Sequence, residues 1–106
     1  MEEIKILLAC GSGASSGFMA GSMRKAAKKQ GINADIKARS DSEIDSFLSD
    51  IDCLMLGPHL KYMENEIKEK AEPYNVPVAC ISQEAYGRLN GEKALQEALE
   101  LIKNGK

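Results

Sequence analysis

The stretch from Lys5 to Gly17, KILLACGSGASSG, constrains the fold more than any other part of the chain. Its apolar run is too short for a helix and stops at Gly11 and Gly13, so Ile4 to Ala9 is expected as a buried strand. That strand delivers Cys10 onto a turn of small residues. A helical pattern opens directly behind the turn, near Ser16. A strand, a small-residue turn and a helix start in this order can hold an anion against a thiolate.

The rest of the chain repeats the alternation. Ser16 to Gln30 reads as a helix with Phe18, Met19, Met23, Ala26 and Ala27 on one face. Arg24, Lys25, Lys28 and Lys29 lie mostly on the other face and are expected to be solvated. Gly31 supplies the stop. Asn33 to Ala38 alternates as a second strand. Asp41 or Ser42 is expected to cap a short helix over Glu43 to Ser49. Ile51 to Leu56 forms a third strand, apolar except for Asp52, and Gly57-Pro58 ends it. Leu60 to Ala71 reads as a helix with Leu60, Met63 and Ile67 inward, closed by Pro73. Val76 to Ile81 is a fourth strand, and Ser82 to Leu89 a loop or helical turn. Gly91 to Lys103 is a helix with Ala94, Leu95, Ala98, Leu99 and Ile102 on one face.

Strands that are apolar throughout and alternate with helices indicate a parallel sheet covered on both faces. The expected fold class is therefore α/β: an open, doubly wound, three-layer sandwich of four strands. Ligands of such sheets bind outside the carboxyl ends of the strands, where the strand order reverses. Cys10, Gly57-Pro58-His59 and Ser82-Gln83 each follow a strand, so these loops should share one rim.

At 106 residues the chain is expected to be a single domain, residues 1–106. A net charge of −2 with both signs dispersed leaves no basic patch for nucleic acid or anionic membrane. No apolar run suffices to span a bilayer, and MEEIKILLA lacks the basic start of a signal peptide. A cytoplasmic protein without membrane insertion is expected. Its 3 cysteines, Cys10, Cys53 and Cys80, should then be free thiols.

Cys10 is the leading candidate for chemistry. A helix N-terminus can lower a thiol pKa from ~8.5 to neutral or below. Gly11, Ser12, Gly13, Ala14, Ser15 and Ser16 offer backbone N–H groups with little side-chain bulk, and the serines add hydroxyl donors. The other reading of Cys10 is a buried structural cysteine beside a tight turn. Residues 11–17 contain no arginine, the group that would clamp phosphate bidentately in a cysteine-based phosphatase. A loop of amides and hydroxyls alone favours a phosphoryl carrier over a hydrolase. Cys53 and Cys80 read as small core hydrophobes, and with His59 they make no zinc spacing, so no metal site is expected. His59 and Tyr86 are accessory candidates. His59 either donates a hydrogen bond to phosphate or is an exposed loop histidine. Tyr86 either brings its hydroxyl to the cysteine loop or packs with the hydroxyl in water. Tyr62 is expected near the same rim.

The segments ILLACGSGASSG, LGPHLKYM, VPVACIS and AYGRLNG, at their distances, resemble the enzyme IIB components of the lactose/cellobiose (chitobiose) branch of the bacterial sugar phosphotransferase system. The resemblance covers nearly the whole chain. It implies a flanked four-stranded parallel sheet related to the low-molecular-weight phosphatase-like fold. It also implies an S-phosphocysteine at Cys10, cradled by Gly11 to Ser16, with Tyr86 close by. The phosphoryl group would come from a phosphohistidine on a IIA protein. It would pass to a β-disaccharide such as cellobiose, lactose or chitobiose on the membrane-embedded IIC protein. No resident cofactor is implied beyond that transient phosphate, and the chain should act as a monomer. Phe18 or Met19 would offer apolar contact to the partners. His59 stands where a glutamine is common in the cellobiose type, and Gly17 where a further serine is frequent. The competing functions are a Cys-dependent small phosphatase or arsenate-reductase-like enzyme, and a non-catalytic regulatory IIB-like domain.

Overall fold

The three apolar runs and the alternating segment form four strands of one sheet. The computed structural model describes residues 3–10, 14–88 and 90–105, and the side chains of residues 10, 14–16, 41, 59 and 105 lie outside that description. The strands are β1 (Ile4–Cys10), β2 (Ala34–Ser40), β3 (Cys53–Leu56) and β4 (Val78–Cys80). The helices are α1 (Ala14–Lys29), α2 (Ile44–Phe47), α3 (Glu64–Ala71), α4 (Gln83–Gly87) and α5 (Gly91–Gly105). The sheet order is β2-β1-β3-β4, and every neighbouring pair is parallel. The expected α/β class and its three layers are those of the structure.

Strand alternation sends side chains to two different cores. Ile6, Leu8, Ile36, Cys53 and Met55 meet Met19, Ala20, Met23, Ala26 and Ala27 of α1 and Ala94, Leu95 and Ala98 of α5. Leu7, Ala9, Leu54 and Leu56 meet Ile44, Leu48, Leu60, Ile67 and Ala71 on the opposite face. Leu99 and Ile102 pack half-buried against the first core, and Met63 against the second. Both faces of the central strands are therefore dry, which is why those runs carry so few polar residues.

Several local expectations are corrected. Phe18 is 72% exposed and Ala20 takes the inward place instead, because Phe18 lies off the stripe that Met19 and Met23 define. Arg24 is not merely solvated: its Nε donates to the Ile36 carbonyl at 2.7 Å, covering part of the open edge of β2. Asp41–Glu43 form a 3₁₀ turn before α2. Ser42 does not cap that helix; Glu43 accepts from the Ser40 N–H and hydroxyl, and the hydroxyls of Ser40 and Ser42 share a hydrogen bond. Asp41 as a cap falls on a side chain outside the described residues.

Pro58–Met63 is likewise 3₁₀ rather than the start of an α-helix, and α3 proper begins at Glu64. Pro73 lies in a closing 3₁₀ turn, Glu72–Tyr74, and Asn75 ends it with a left-handed φ of 57°. Gly31 stops α1 as expected, at φ 73°, with the Ile32 N–H returning to the Ala27 carbonyl. Asp52, the polar intruder before β3, accepts from the Lys5 N–H while its own N–H donates to the Lys5 carbonyl.

Candidate active site

The site follows from the order of the strands. After β1 the chain crosses to one side to make β2 and then returns past β1 to make β3 on the other side. The gap between the carboxyl ends of β1 and β3 is therefore the switch point, where ligands of open α/β sheets bind. Residue 10 is the last of β1 and lies in register with Ser40. On its other side Ala9 is in register with Leu56, and the Gly57 N–H continues the ladder to the Ala9 carbonyl at 3.0 Å. Cys10 thus ends one strand at the switch point, and Gly57 leaves the adjoining strand beside it.

Gly11, Ser12 and Gly13 lie outside the described residues. The backbone resumes at Ala14 as the first residue of α1, which runs for 16 residues. Ala14, Ser15 and Ser16 occupy its first turn. A helix opening there presents unpaired N–H groups and a positive dipole end close behind Cys10. The side chains of Cys10, Ser15, Ser16 and His59 lie outside the described residues, and His59 falls in the 3₁₀ segment after Gly57.

The structure brings the β3 and β4 loops together. Pro58, Gln83, Tyr86 and Gly87 line one groove of about 470 Å³. Pro58, Lys61, Glu64, Cys80, Ser82 and Gln83 are among the residues lining a second, of about 390 Å³. Pro58 and Gln83 belong to both, so the two grooves adjoin on the rim beyond β3 and β4. Tyr86 is half-buried against the α1/α5 core, and its hydroxyl oxygen is shielded from solvent. The reading that sent this hydroxyl into water is therefore corrected. Tyr62, by contrast, is 81% exposed on the 3₁₀ segment. Phe18 is exposed on the second turn of α1, whereas Met19 is wholly buried and unavailable to a partner.

The remaining thiols differ from one another. Cys53 is a core residue, with its Sγ 3.9 Å from the Ala98 carbonyl oxygen. Cys80 is only half-buried and lines the second rim groove, so the core reading holds for it in part. Burial raises its thiol pKa above the ordinary cysteine value, and Glu64 raises it further, while Lys61 and Lys68 oppose both. The thiolate is the reactive form. In a Cys10→Ser variant, alkylation of Cys80 by iodoacetamide is expected to be slower at neutral pH than that of a cysteine peptide. Its rate should climb with pH through a midpoint above that of the peptide. Peptide mapping of the alkylated protein checks both statements, and a midpoint at or below the peptide's contradicts them.

Two features were missed in the sequence. Glu97 of α5 accepts from both the Ser82 N–H (3.0 Å) and the Ser82 hydroxyl (2.7 Å). The Gly91 N–H, at the start of α5, donates to Ser22 Oγ of α1 at 3.0 Å. The NG in AYGRLNG was the available signal for the second: Asn90 Oδ1 accepts from the Lys93 N–H as a helix cap, and Gly91 allows the two helices to touch.

The class so defined is an open parallel α/β domain with a cysteine at the strand end of its switch point. Comparison with known proteins narrows it. A sequence profile of the family described as the phosphotransferase system lactose/cellobiose-specific IIB subunit matches residues 5–97. The oligo-beta-mannoside-specific EIIB component of Bacillus subtilis is 34% identical over 100 residues, 94% of this chain and 97% of its own. The galactose-specific EIIB component of Lactococcus lactis subsp. cremoris is 36% identical over 107 residues, 96% of this chain and 99% of its own. The solution structure of the cellobiose-specific IIB component of Borrelia burgdorferi superposes with a TM-score of 0.81 at 30% identity, covering 99% of this chain and 96% of that one. The chain belongs to the lactose/cellobiose-specific IIB family of the sugar phosphotransferase system, whose members are phosphotransferases of sugar transport. The lactose-specific EIICB component of Lacticaseibacillus casei carries such a region fused to more chain: 26% identity spans 88% of this chain but 16% of that protein. The fold reaches further still, to YwlE of Bacillus subtilis, with a TM-score of 0.52 at 10% identity.

Proposed function

We propose that the chain is a phosphoryl carrier: Cys10 accepts a phosphoryl group from a phosphohistidine on a IIA protein and passes it to a sugar held by a membrane IIC protein. The observation that carries this reading is the position of residue 10. It ends a central strand at the switch point, with a 16-residue helix opening at Ala14 immediately behind. Membership of the IIB family supports it.

In the first step the Cys10 sulfur attacks phosphorus in line, an S–P bond forms and the N–P bond breaks. The imidazole leaves with the bonding electron pair and takes up a proton from solvent. In the second step a sugar hydroxyl oxygen attacks, the S–P bond breaks and the thiolate returns, while the hydroxyl proton passes to solvent. A thiolate is both nucleophile and leaving group, so neither step needs a strong general base in this chain. What the chain must supply is alignment and neutralisation of the phosphoryl oxygens. Backbone N–H groups of Gly11 to Ser16, the serine hydroxyls and the α1 dipole are the groups proposed for that work. Tyr86 is proposed as an accessory group at the rim, and His59 as a further hydrogen-bond donor.

Among the described residues no helix is long and apolar enough to cross a membrane. A cytoplasmic monomer that docks transiently on IIA and IIC, with no resident cofactor, is the proposed arrangement, and exposed Phe18 is the proposed apolar contact. The relatives are named for different sugars, namely oligo-β-mannoside, galactose and cellobiose. Specificity is accordingly assigned to the IIC partner, and kinship with the lactose/cellobiose branch supports a β-disaccharide as the sugar.

The test is reconstitution. With a phosphohistidine donor, membranes bearing the cognate IIC and a β-disaccharide, sugar phosphate is expected to form only when this chain is added. Hydrolysis of p-nitrophenyl phosphate that depends on Cys10, without sugar phosphate, would instead identify a small phosphatase.

A further inference from the structure

Helix α4 is five residues long, too short to persist on its own. It nevertheless carries Tyr86 and helps to line both rim grooves, so something must hold it. Its N-terminus is held by Ser82. The Ile81 N–H ties the preceding residue to the Leu56 carbonyl at the end of β3. Ser82 Oγ then caps the helix by accepting from the Ala85 N–H at 3.2 Å, and the Ser82 carbonyl accepts from the Tyr86 N–H at 3.0 Å.

A serine hydroxyl can rotate, and its proton has to be placed before its lone pairs point reliably at a helix N–H. Glu97 places it. Its Oε2 takes the Ser82 hydroxyl proton at 2.7 Å and its Oε1 takes the Ser82 N–H at 3.0 Å. Both bonds are charge-assisted and part-buried, hence stronger than neutral ones. Glu97 stands on α5, three residues from Ala94 and beside Ala98, which are both fully buried. The carboxylate is therefore carried on a packed helix, and its two bonds to Ser82 hold it in place. A second tie from α5, Lys93 to Glu84 at 2.9 Å, is exposed and contributes little.

We propose that Glu97 is a positioning residue for phosphoryl transfer: through Ser82 it sets α4, and thereby Tyr86, against the switch-point rim. Glu97 touches no reacting atom. This inference rests on the phosphoryl-carrier reading above.

The experiment follows phosphorylation of the full chain by its phosphohistidine donor in rapid quench, well below every variant's Tm. Glu97→Ala and Ser82→Ala are expected to lower the transfer rate at saturating donor about tenfold, within the cost of a ~1 Å misplacement. The donor KM should stay within about twofold, since donor binding is untouched and only alignment is lost. Ser82→Thr retains the hydroxyl and should retain the rate. In a Tyr86→Phe background Glu97→Ala should add less than about twofold, because both changes act through one group.

A role in stability alone would lower Tm and leave the rate unchanged, and action through some other group would leave the full tenfold loss intact in the Tyr86→Phe background; either result overturns the proposal. Glu97→Gln, nearly isosteric, serves if the alanine variant does not fold. It should shift the Tyr86 ring resonances in NMR spectra, and an unmoved ring overturns the proposal without reference to activity. A wild-type chain that accepts no phosphoryl group would sink the carrier reading, and the ring resonances would still decide the positioning.

Discussion

Gly91→Ala is expected to destabilise the protein by about 3 kcal/mol, the upper end of ordinary overpacking. The Tm should fall by about 12 °C or more, at roughly 4 °C per kcal/mol for a domain near 100 residues. A methyl group at Gly91 would overlap the carbonyl carbon and oxygen of Ser22 as well as its Oγ. A side chain could rotate away, but the backbone of α1 cannot. The helices must separate, which loosens Met19 and Met23 against Leu95 and Ala98 and lengthens the bond from the Gly91 N–H to Ser22 Oγ. Gly21→Ala provides the contrast one residue from the contact. Nothing lies within 4 Å of the methyl it would add, and it is helical. That change should stabilise by about 0.5–1 kcal/mol through helix propensity. Thermal melts of both variants check the pair, and equal effects would contradict the packing argument. Because α1 opens at Ala14, shortly after Cys10 in the chain, Gly91→Ala should slow phosphoryl transfer even where the protein remains folded.

Cys10→Ser is expected to abolish transfer to sugar, a loss of at least about a thousandfold, as for removal of a covalent nucleophile. A thiol of pKa ~8.5 becomes a thiolate near neutral pH with modest help from N–H groups and a dipole, whereas an alcohol does not. An oxygen ester, were it formed, would also be a poorer phosphoryl donor than the S–P bond. Cys80→Ser, on the rim but with its thiol held neutral, should retain transfer. Cys53→Ser places a hydroxyl in the core and should lower stability while sparing the folded protein's rate. Sugar-phosphate formation in the reconstituted system separates the three.

The parts of this fold that were legible in the sequence are those set by periodicity and by single punctuating residues. Apolar runs marked β1, β3 and β4, the alternation of Asn33 to Ala38 marked β2, and Gly31 marked the end of α1. The inward residues of α5 were read from their spacing alone. Parallel pairing and the shared rim followed from the alternation of strands and helices. The failures have physical causes. Phe18 was drawn inward by its hydrophobicity, although Ala20 fills the narrow place beside the sheet. Pro58–Met63 tightened to 3₁₀ where the pattern showed only a helical period. Helix α4 was ambiguous because five residues carry no periodic signal; its stability comes from Ser82 and from Glu97, 15 residues further on. The Gly91–Ser22 contact is a meeting of residues 69 positions apart, and no local pattern announces it. Cys10 was read from its neighbours Gly11 to Gly17, of which Gly11, Ser12 and Gly13 lie outside the described residues.

The central claim is that Cys10 carries the phosphoryl group between two proteins. Intact-mass analysis before and after exposure to the donor relay tests it most directly, with peptide mapping of the product. A gain of one phosphoryl group is expected, located on Cys10, absent from Cys10→Ser, and lost again when IIC membranes and sugar are added. An unchanged mass with a cognate phosphorylated IIA, or a phosphoryl group that persists in Cys10→Ser, would contradict it.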